Sequence, residues 1–380
     1  MRDWVLVTSG DHNASRAALA AVRALAAGGY RAAVTVSGNR SLASASRFCA
    51  KRVEVPSVTA DPSGFAGAVR AHLASDSYLT VLPITEAVLI ALDLPIRPMI
   101  SKVATAAAAA SAGIPIPPSR VFASAQDLRD AADDLVYPIV IKPDIKTRLA
   151  MRVDSASAVR SADLADGRLV TQPFLNEKLR GIVGLMWEGK LVAAVHMSYL
   201  RIWPLPCGTI TAGETVPVDM ELEAGLERLL ADYNGIFHAD LAGPYLLDLN
   251  PRAHATLALG VAAGVNVVAR YCDLLRGASV VPSRARPGIH FRWVEGDVRS
   301  LLYAARRGDV TWPSAISAIA PHSRTAYSIE DISDPWPSVE RLRQIGARAV
   351  RPLRRSRQKG RAAKTAAPQT EPGNFSGLTR

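Results

Sequence analysis

Cysteine is scarce in this chain. Cys49, Cys207 and Cys272 are far apart and odd in number. Such a set offers no disulfide framework and no CxxC metal or redox motif, and it suits a reducing cytoplasm. Long apolar runs are missing too. No stretch of 18 residues is both apolar and free of charge, and Met1-Arg-Asp-Trp-Val-Leu-Val enters a strand without a signal-peptide pattern. No membrane partner is expected, and the expected location is cytoplasmic. The seven histidines form neither HxxxH nor HExxH, no GxGxxG opens the first helix, and no Ser/His/Asp order suggests a covalent nucleophile.

Alanine and basic charge are abundant. The net charge of +11 points towards nucleic acid, but its distribution points away. Residues 351–380 hold eight Lys/Arg and one acid, so the first 350 residues carry only +4. That tail is rich in Ala, Pro, Gly, Ser and Thr, poor in bulky apolar residues, and expected to be disordered. No aromatic residue interleaves with its basic cluster, which argues further against single-stranded nucleic acid as a partner.

At 380 residues the chain can hold two or three subdomains with substantial cores. Val5-Leu-Val-Thr-Ser-Gly10, a helix from Ser15 to Ala27 and the strand Arg31-Ala-Ala-Val-Thr-Val-Ser37 make a parallel α/β unit. Val53–Pro56 and Tyr78–Pro83 extend the sheet, with a helix over Ser63–Leu73. The order is that of a Rossmann-like domain without its dinucleotide fingerprint. Gly181 to Leu200 reads as a hairpin through Gly189-Lys190, and Met220 to Tyr233 as a helix. Residues 285–350 read as a helical, Trp-containing extension that packs on the core.

The segment from Gly235 to Arg252 (GIFHADLAGPYLLDLNPR) carries the most chemistry. It predicts two short strands around a turn at Gly243-Pro244. Period-2 alternation puts Asp248 and Asn250 on one face, with Asp240 ending the facing strand. Two carboxylates and an amide oxygen are hard ligands of the kind Mg²⁺ uses beside phosphates. Arg252 follows with a planar fork suited to phosphate oxygens. Upstream, Lys102 opens an alanine-rich helix stopped by Gly113 and Pro115, and Lys142 ends the apolar strand Tyr-Pro-Ile-Val-Ile-Lys. Leu169-Val-Thr-Gln-Pro-Phe-Leu175 is another apolar strand running into a polar break.

Lysine, lysine, hinge, then Asp and Asp-x-Asn-Pro-Arg is the order of parts in the ATP-grasp superfamily, which this chain resembles over roughly residues 1–290. "AGIPIPPS", "YPIVIKP", "VTQPFL" and "LLDLNPRAHATLALGVAAGVN" carry the resemblance. It is most similar to stand-alone carboxylate–amine ligases whose core resembles that of the carbamoyl-phosphate synthase large subunit. The implied fold class is α/β with α+β lobes. A Rossmann-like pre-ATP-grasp domain (1–97) precedes a small lobe (98–172) and a large lobe with the metal site (173–284). The C-terminal helical extension (285–350) and the basic tail (351–380) follow.

The resemblance also implies site residues. Lys102 and Lys142 would contact ATP phosphates. Gln172, Pro173, Phe174 and Leu175 would form the adenine hinge, with the Gln172 carbonyl and the Leu175 amide as its polar contacts. Asp240, Asp248 and Asn250 would ligate Mg²⁺ (or Mn²⁺), Arg252 would face the transferred phosphate, and Arg201 would place a cation near the phosphates. The implied reaction joins a small-molecule carboxylate to an amine (or thiol) through an acyl phosphate and releases ADP and phosphate, with a homodimer possible. Two departures stand out: a glycine-rich loop is missing between residues 144 and 168, where Lys146, Arg148 or Arg152 would have to substitute, and the first metal position is Asp240 rather than a longer Glu. They support an alternative, a non-catalytic ATP-grasp-fold module that binds nucleotide or metabolite. A nicotinamide oxidoreductase is a third reading.

Overall fold

Val5, Leu6 and Val7 are fully buried, and a strand covered on both faces favours parallel neighbours flanked by helices. β1 (Trp4–Thr8), β2 (Arg31–Val36), β3 (Cys49–Glu54) and β4 (Tyr78–Pro83) form an all-parallel sheet in the order β3-β2-β1-β4. Val5 and Val7 face the helix Arg16–Ala27, whose start is capped by the Ser15 side chain. Leu6 faces the opposite way, onto Phe65, Val69 and Val88. Gly28 ends the first helix where a Cβ would stand 2.4 Å from that of Ala269, so the close approach of the helix Val267–Leu275 requires glycine. The computed structural model describes residues 3–8, 11, 13–75, 77–94 and 97–347, so the basic tail of residues 351–380 lies outside the described residues.

The second sheet is antiparallel. β5 (Arg120–Phe122), β6 (Ile139–Pro143), β7 (Met151–Val153) and β8 (Leu169–Pro173) run in the order β5-β8-β6-β7 over their own core of Leu128, Val159 and Leu169. The Lys102–Ser111 helix precedes this sheet but packs elsewhere. Its Ala109, with Ile114 just beyond, joins Leu222, Leu226 and Phe237 in the core under the third sheet.

The third sheet follows the order β13-β12-β9-β10-β11-β15-β16, with β14 paired to β10. Its strands are β9 (Leu179–Trp187), β10 (Lys190–Trp203), β11 (Thr209–Thr215), β12 (Gly235–Ala242), β13 (Tyr245–Asn250), β14 (Ser283–Arg284), β15 (His290–Arg292) and β16 (Thr325–Tyr327). Glu188 and Gly189 both take positive φ, 50° and 73°, the turn that matches strand twist in a two-residue hairpin. The C-terminal extension is therefore not purely helical. It adds β15 and β16 to this sheet before and after the helices Val294–Arg307 and Trp312–Ile319. One core joins Val5, Val7 and Leu25 to Val195, Leu257 and Val268, so the N-terminal sheet and the third sheet pack as neighbours. Among the described residues no helix is long and apolar enough to cross a membrane.

Candidate active site

The hairpin of β12 and β13 sets the floor of the site. Its register pairs Asp240 with Asp248 and His238 with Asn250. Residues directly opposite in an antiparallel pair project from the same face, so all four polar side chains lie together. Ala239 and Leu249 point to the other face and join the core. Gly243, at φ 54°, makes the tight turn.

Three lysines reach this face. Lys142 is buried at the end of β6, and its Nζ donates to Gln172 Oε1 at 2.8 Å and to the Leu247 carbonyl at 3.1 Å. It thereby ties the second sheet to the hairpin. Lys102 is placed by the start of its helix, where the Asp144 carboxylate accepts from Ser101 Oγ and the Val103 amide. Its Nζ lies 3.3 Å from Asp248 Oδ1, while Lys146 reaches Oδ2 at 3.7 Å from the loop after β6. Burial alone would raise the Asp248 carboxyl, but Lys102, Lys146 and Lys142 hold it well below the usual carboxylate range. Burial likewise pulls the Lys142 ammonium down, and Asp248 pushes it back only in part.

Arg252 is fixed from the N-terminal domain. Its Nε and Nη2 donate to Glu86 Oε1 at 3.1 and 2.9 Å, and Nη2 also donates to Asn250 Oδ1 at 3.2 Å. Burial favours the neutral Glu86 carboxyl, yet Arg252 and Lys146 lower its proton affinity. Tyr199 on β10 donates to Asp240 Oδ1 at 2.6 Å and stands 3.1 Å from His238 Nε2. The His238 ring stacks on His254 at 3.7 Å. Glu86, Tyr199 and Asp144 escaped the sequence reading. Glu86 alone left a signal, an acid following a Thr at the carboxyl end of a parallel strand, where α/β sheets bind ligands.

Most of these groups wall a cleft of about 200 Å³ between the second and third sheets. Every predicted site residue except Arg201 lines it. Arg201 is a correction. Its Nε and Nη2 pair with Asp297 at 2.6 and 3.1 Å, away from the cleft. Bulges in the β10–β11 pairing on either side of Arg201 break the alternation that would have put it beside Tyr199.

Gln172 is a second correction. The Phe174 amide donates to the Pro138 carbonyl, and on that phase Val140 and Gln172 are the next pair to exchange ladder bonds. The Gln172 carbonyl thus belongs to the sheet, and its side chain holds Lys142 and Ser119 Oγ. Pro173, Phe174 and Leu175 still line the cleft. Of the loop cations, Lys146 and Arg148 line it, while Arg152 pairs with Asp154 and lies over the Phe174 ring at 4.3 Å. Asn266 caps the Val267–Leu275 helix and donates to the Ala24 carbonyl.

Asp240 and Asp248 suit a hard cation that takes its remaining ligands from phosphate and water. Among the described residues no cluster of three or more His, Cys, Asp or Glu could hold a metal by itself. Asn250 gives its amide oxygen to Arg252, which leaves that oxygen one lone pair. The donor set therefore fits a shared Mg²⁺ and not a closed protein cage.

No protein-family model matches the chain, and no curated protein matches it. Solved structures do. An L-amino acid ligase from Bacillus licheniformis aligns over 76% of this chain and 78% of its own, with a TM-score of 0.53 and 16% identity. The chain has the ATP-grasp fold. An N5-carboxyaminoimidazole ribonucleotide synthetase in complex with ADP aligns over 81% of this chain and 85% of its own, at TM-score 0.59 and 15% identity. The biotin carboxylase domain of Hydrogenobacter thermophilus 2-oxoglutarate carboxylase, bound to MgADP and bicarbonate, aligns over 76% and 73%, at TM-score 0.56 and 13% identity. At such identities the likeness is one of fold. In this ATP-grasp fold the β12–β13 hairpin and the β6–β8 strands face each other across the cleft.

Proposed function

We propose that the chain is an ATP-dependent ligase that joins a carboxylate to an amine (or a thiol) through an acyl phosphate, with release of ADP and phosphate. The observation that carries this reading is the convergence of Lys102, Lys142, Lys146, Arg148 and Arg252 on Asp240, Asp248 and Asn250 in one cleft. A surplus of cations around a pair of carboxylates suits a polyphosphate bridged to a metal. The solved ADP and MgADP complexes of the same fold favour the same ligand.

A carboxylate at neutral pH is a poor electrophile, so its oxygen must first take the γ-phosphoryl group. Phosphoryl transfer needs little covalent chemistry from the protein; positioning and charge stabilisation dominate. Lys142 and Lys102 would neutralise phosphate oxygens, and Lys146 would close over them from its loop. Mg²⁺ (or Mn²⁺), held by Asp240 and Asp248 with Asn250, would supply Lewis-acid neutralisation of phosphoryl oxygens. Arg252, its fork steadied by Glu86, would face the acyl phosphate, on which the amine displaces phosphate. The Pro173 carbonyl and the Leu175 amide are the adenine contacts, one residue on from Gln172. The Cys207 thiol lines the cleft, but burial pushes its pKa up, so it is a poor nucleophile.

The test is ADP and phosphate release by the purified protein with pooled carboxylic acids and amines. Release that requires both pools supports a ligase. Tight nucleotide binding with no release under any pool identifies the non-catalytic module instead, which the glycine-free loop after β6 would then explain.

A further inference from the structure

The helix over residues 336–347 is built inside out. Its inward side is polar. Arg341 pairs with Glu295 through Nε at 2.6 Å and Nη2 at 2.8 Å, and Gln344 Nε2 donates to the Asn13 carbonyl at 3.4 Å. The buried Glu340 carboxylate takes the Arg343 fork at 2.7 and 2.9 Å. Its outward side is apolar. Trp336, Val339, Leu342 and Ile345 recur at every third position, a spacing that spreads them over about half of the helix circumference. They are 56%, 52%, 69% and 36% exposed, and Ile332, just before the helix, is exposed as well.

A surface helix normally turns its apolar stripe to the core and its charges to water. The reverse arrangement leaves apolar area in water unless something covers it, and such a stripe marks an interaction site. The sequence from this helix onward says what covers it. From Arg341 to Thr370 there are ten Lys/Arg and no acid. A second copy of the chain would set two such stretches against each other, like charge on like charge. The partner is therefore anionic. A nucleic acid takes the charge but has no use for an aliphatic stripe, and no aromatic side chain interleaves with the basic cluster to stack on bases. The surface of an anionic bilayer takes both. Apolar side chains enter the acyl boundary, Trp sits at headgroup level, and Lys and Arg face the lipid phosphates.

We propose that the outward side of this helix and the basic sequence after it form a docking surface for an anionic lipid bilayer, on which the chain lies without crossing it. The lack of a membrane-crossing helix among the described residues bears on spanning a bilayer and not on lying against one. Both parts are needed: the apolar contact is small and reversible, and charge alone is screened by salt. None of these residues lines the cleft, so the docking surface stands apart from the ligase reading.

The experiment is flotation of the full chain with vesicles of phosphatidylcholine alone and of an equimolar phosphatidylcholine–phosphatidylglycerol mixture, at low and high salt. Binding to the mixed vesicles should exceed binding to the neutral ones by about tenfold or more, and should fall as salt rises. Trp336→Ser with Leu342→Ser should weaken it about tenfold through lost apolar burial. Arg354→Gln with Arg355→Gln and Arg357→Gln should weaken it on the order of a hundredfold. The melting temperature of the Trp336/Leu342 variant should match that of wild type, because the replaced side chains are exposed. Binding to neither vesicle overturns the proposal, and so does vesicle binding that the Trp336/Leu342 variant leaves unchanged. Tight binding to an oligonucleotide with none to vesicles would give the basic sequence to nucleic acid and overturn it too. A wild-type dimer that the Trp336/Leu342 variant dissociates, with no vesicle binding, would give the stripe to a second copy and overturn it likewise.

Discussion

Asp248 and Asp297 are both aspartates ringed by cations, and they are built in opposite ways. Asp297 is 1% exposed and receives the forks of two arginines: Arg201 at 2.6 and 3.1 Å and Arg292 at 2.9 Å. Nη1 and Nη2 of Arg292 donate to the carbonyls of Ala318, Ile319 and Ala320. Both carboxylate oxygens of Asp297 are occupied, and the network joins β10 and β15 to the helix Val294–Arg307. Asp248 is opposed by lysines at 3.3 and 3.7 Å, with 18% of its side chain exposed to the cleft. Point charges at such distances are easily taken over by another anion. The saturated network holds the fold; the unsaturated one is poised for a ligand.

Asp297→Ala should be the most damaging change to stability. It leaves the buried Arg292 without a counter-ion, at a cost of about 3–5 kcal/mol. Urea denaturation measures it, and a loss below about 1 kcal/mol would erase the contrast. Asp248→Asn should act more on turnover. Some stability should be lost as well, because three lysines lose the carboxylate they hold ionised, but less than for Asp297→Ala, since the Lys102 and Lys146 ammonium groups keep part of their solvent. Turnover of ATP should fall roughly a hundred- to a thousandfold, the range for losing one preorganised electrostatic group. Wild-type turnover with Mg²⁺ would show that this aspartate holds no metal.

Glu86→Gln sharpens the comparison from the N-terminal domain. The amide still accepts from Arg252 but no longer matches its charge, so turnover should fall by about tenfold, in kcat more than in KM. An unchanged kcat would make Glu86 a purely structural partner. A smaller effect concerns His254. Burial, with His238, Arg252 and Arg16 nearby, holds its pKa well below 6.5. As pH falls below 6.5 the unfolded chain takes up a proton that the folded chain refuses, so this group's contribution to stability declines. His254→Phe removes that penalty. Its melting temperature should therefore drop less than that of wild type between pH 7.5 and 5.5, and parallel curves would contradict the shift.

The parts legible in the sequence were those with a local pattern. The hairpin announced itself by period-2 alternation around Gly243-Pro244, and Lys142 by being the one charge on an apolar strand. The parallel sheet showed through its strand–helix–strand spacing, although β3 begins at Cys49, earlier than its apolar residues suggest. What long-range packing decides was not legible. Glu86, Tyr199 and Asp144 meet the site only because three sheets converge, and no spacing encodes that. Arg201 went astray through bulges that alternation cannot foresee. The carbonyl of Gln172 was lost to a ladder whose phase is fixed by the partner strand. The strands β15 and β16 are three residues each, too short for a periodicity to register.

The central claim is that the unsaturated cations receive phosphate, and Lys142 tests it most directly. Calorimetry should compare ATP, ADP and adenosine on the wild-type protein and on Lys142→Ala, at low and high salt. The lysine should contribute about 1.5–3 kcal/mol to ATP, roughly ten- to a hundredfold in affinity, less to ADP and almost nothing to adenosine. The loss should shrink as salt rises, because the contact is electrostatic. Equal weakening of ATP and adenosine, indifferent to salt, would contradict the account and leave Lys142 as a strut between Gln172 and Leu247.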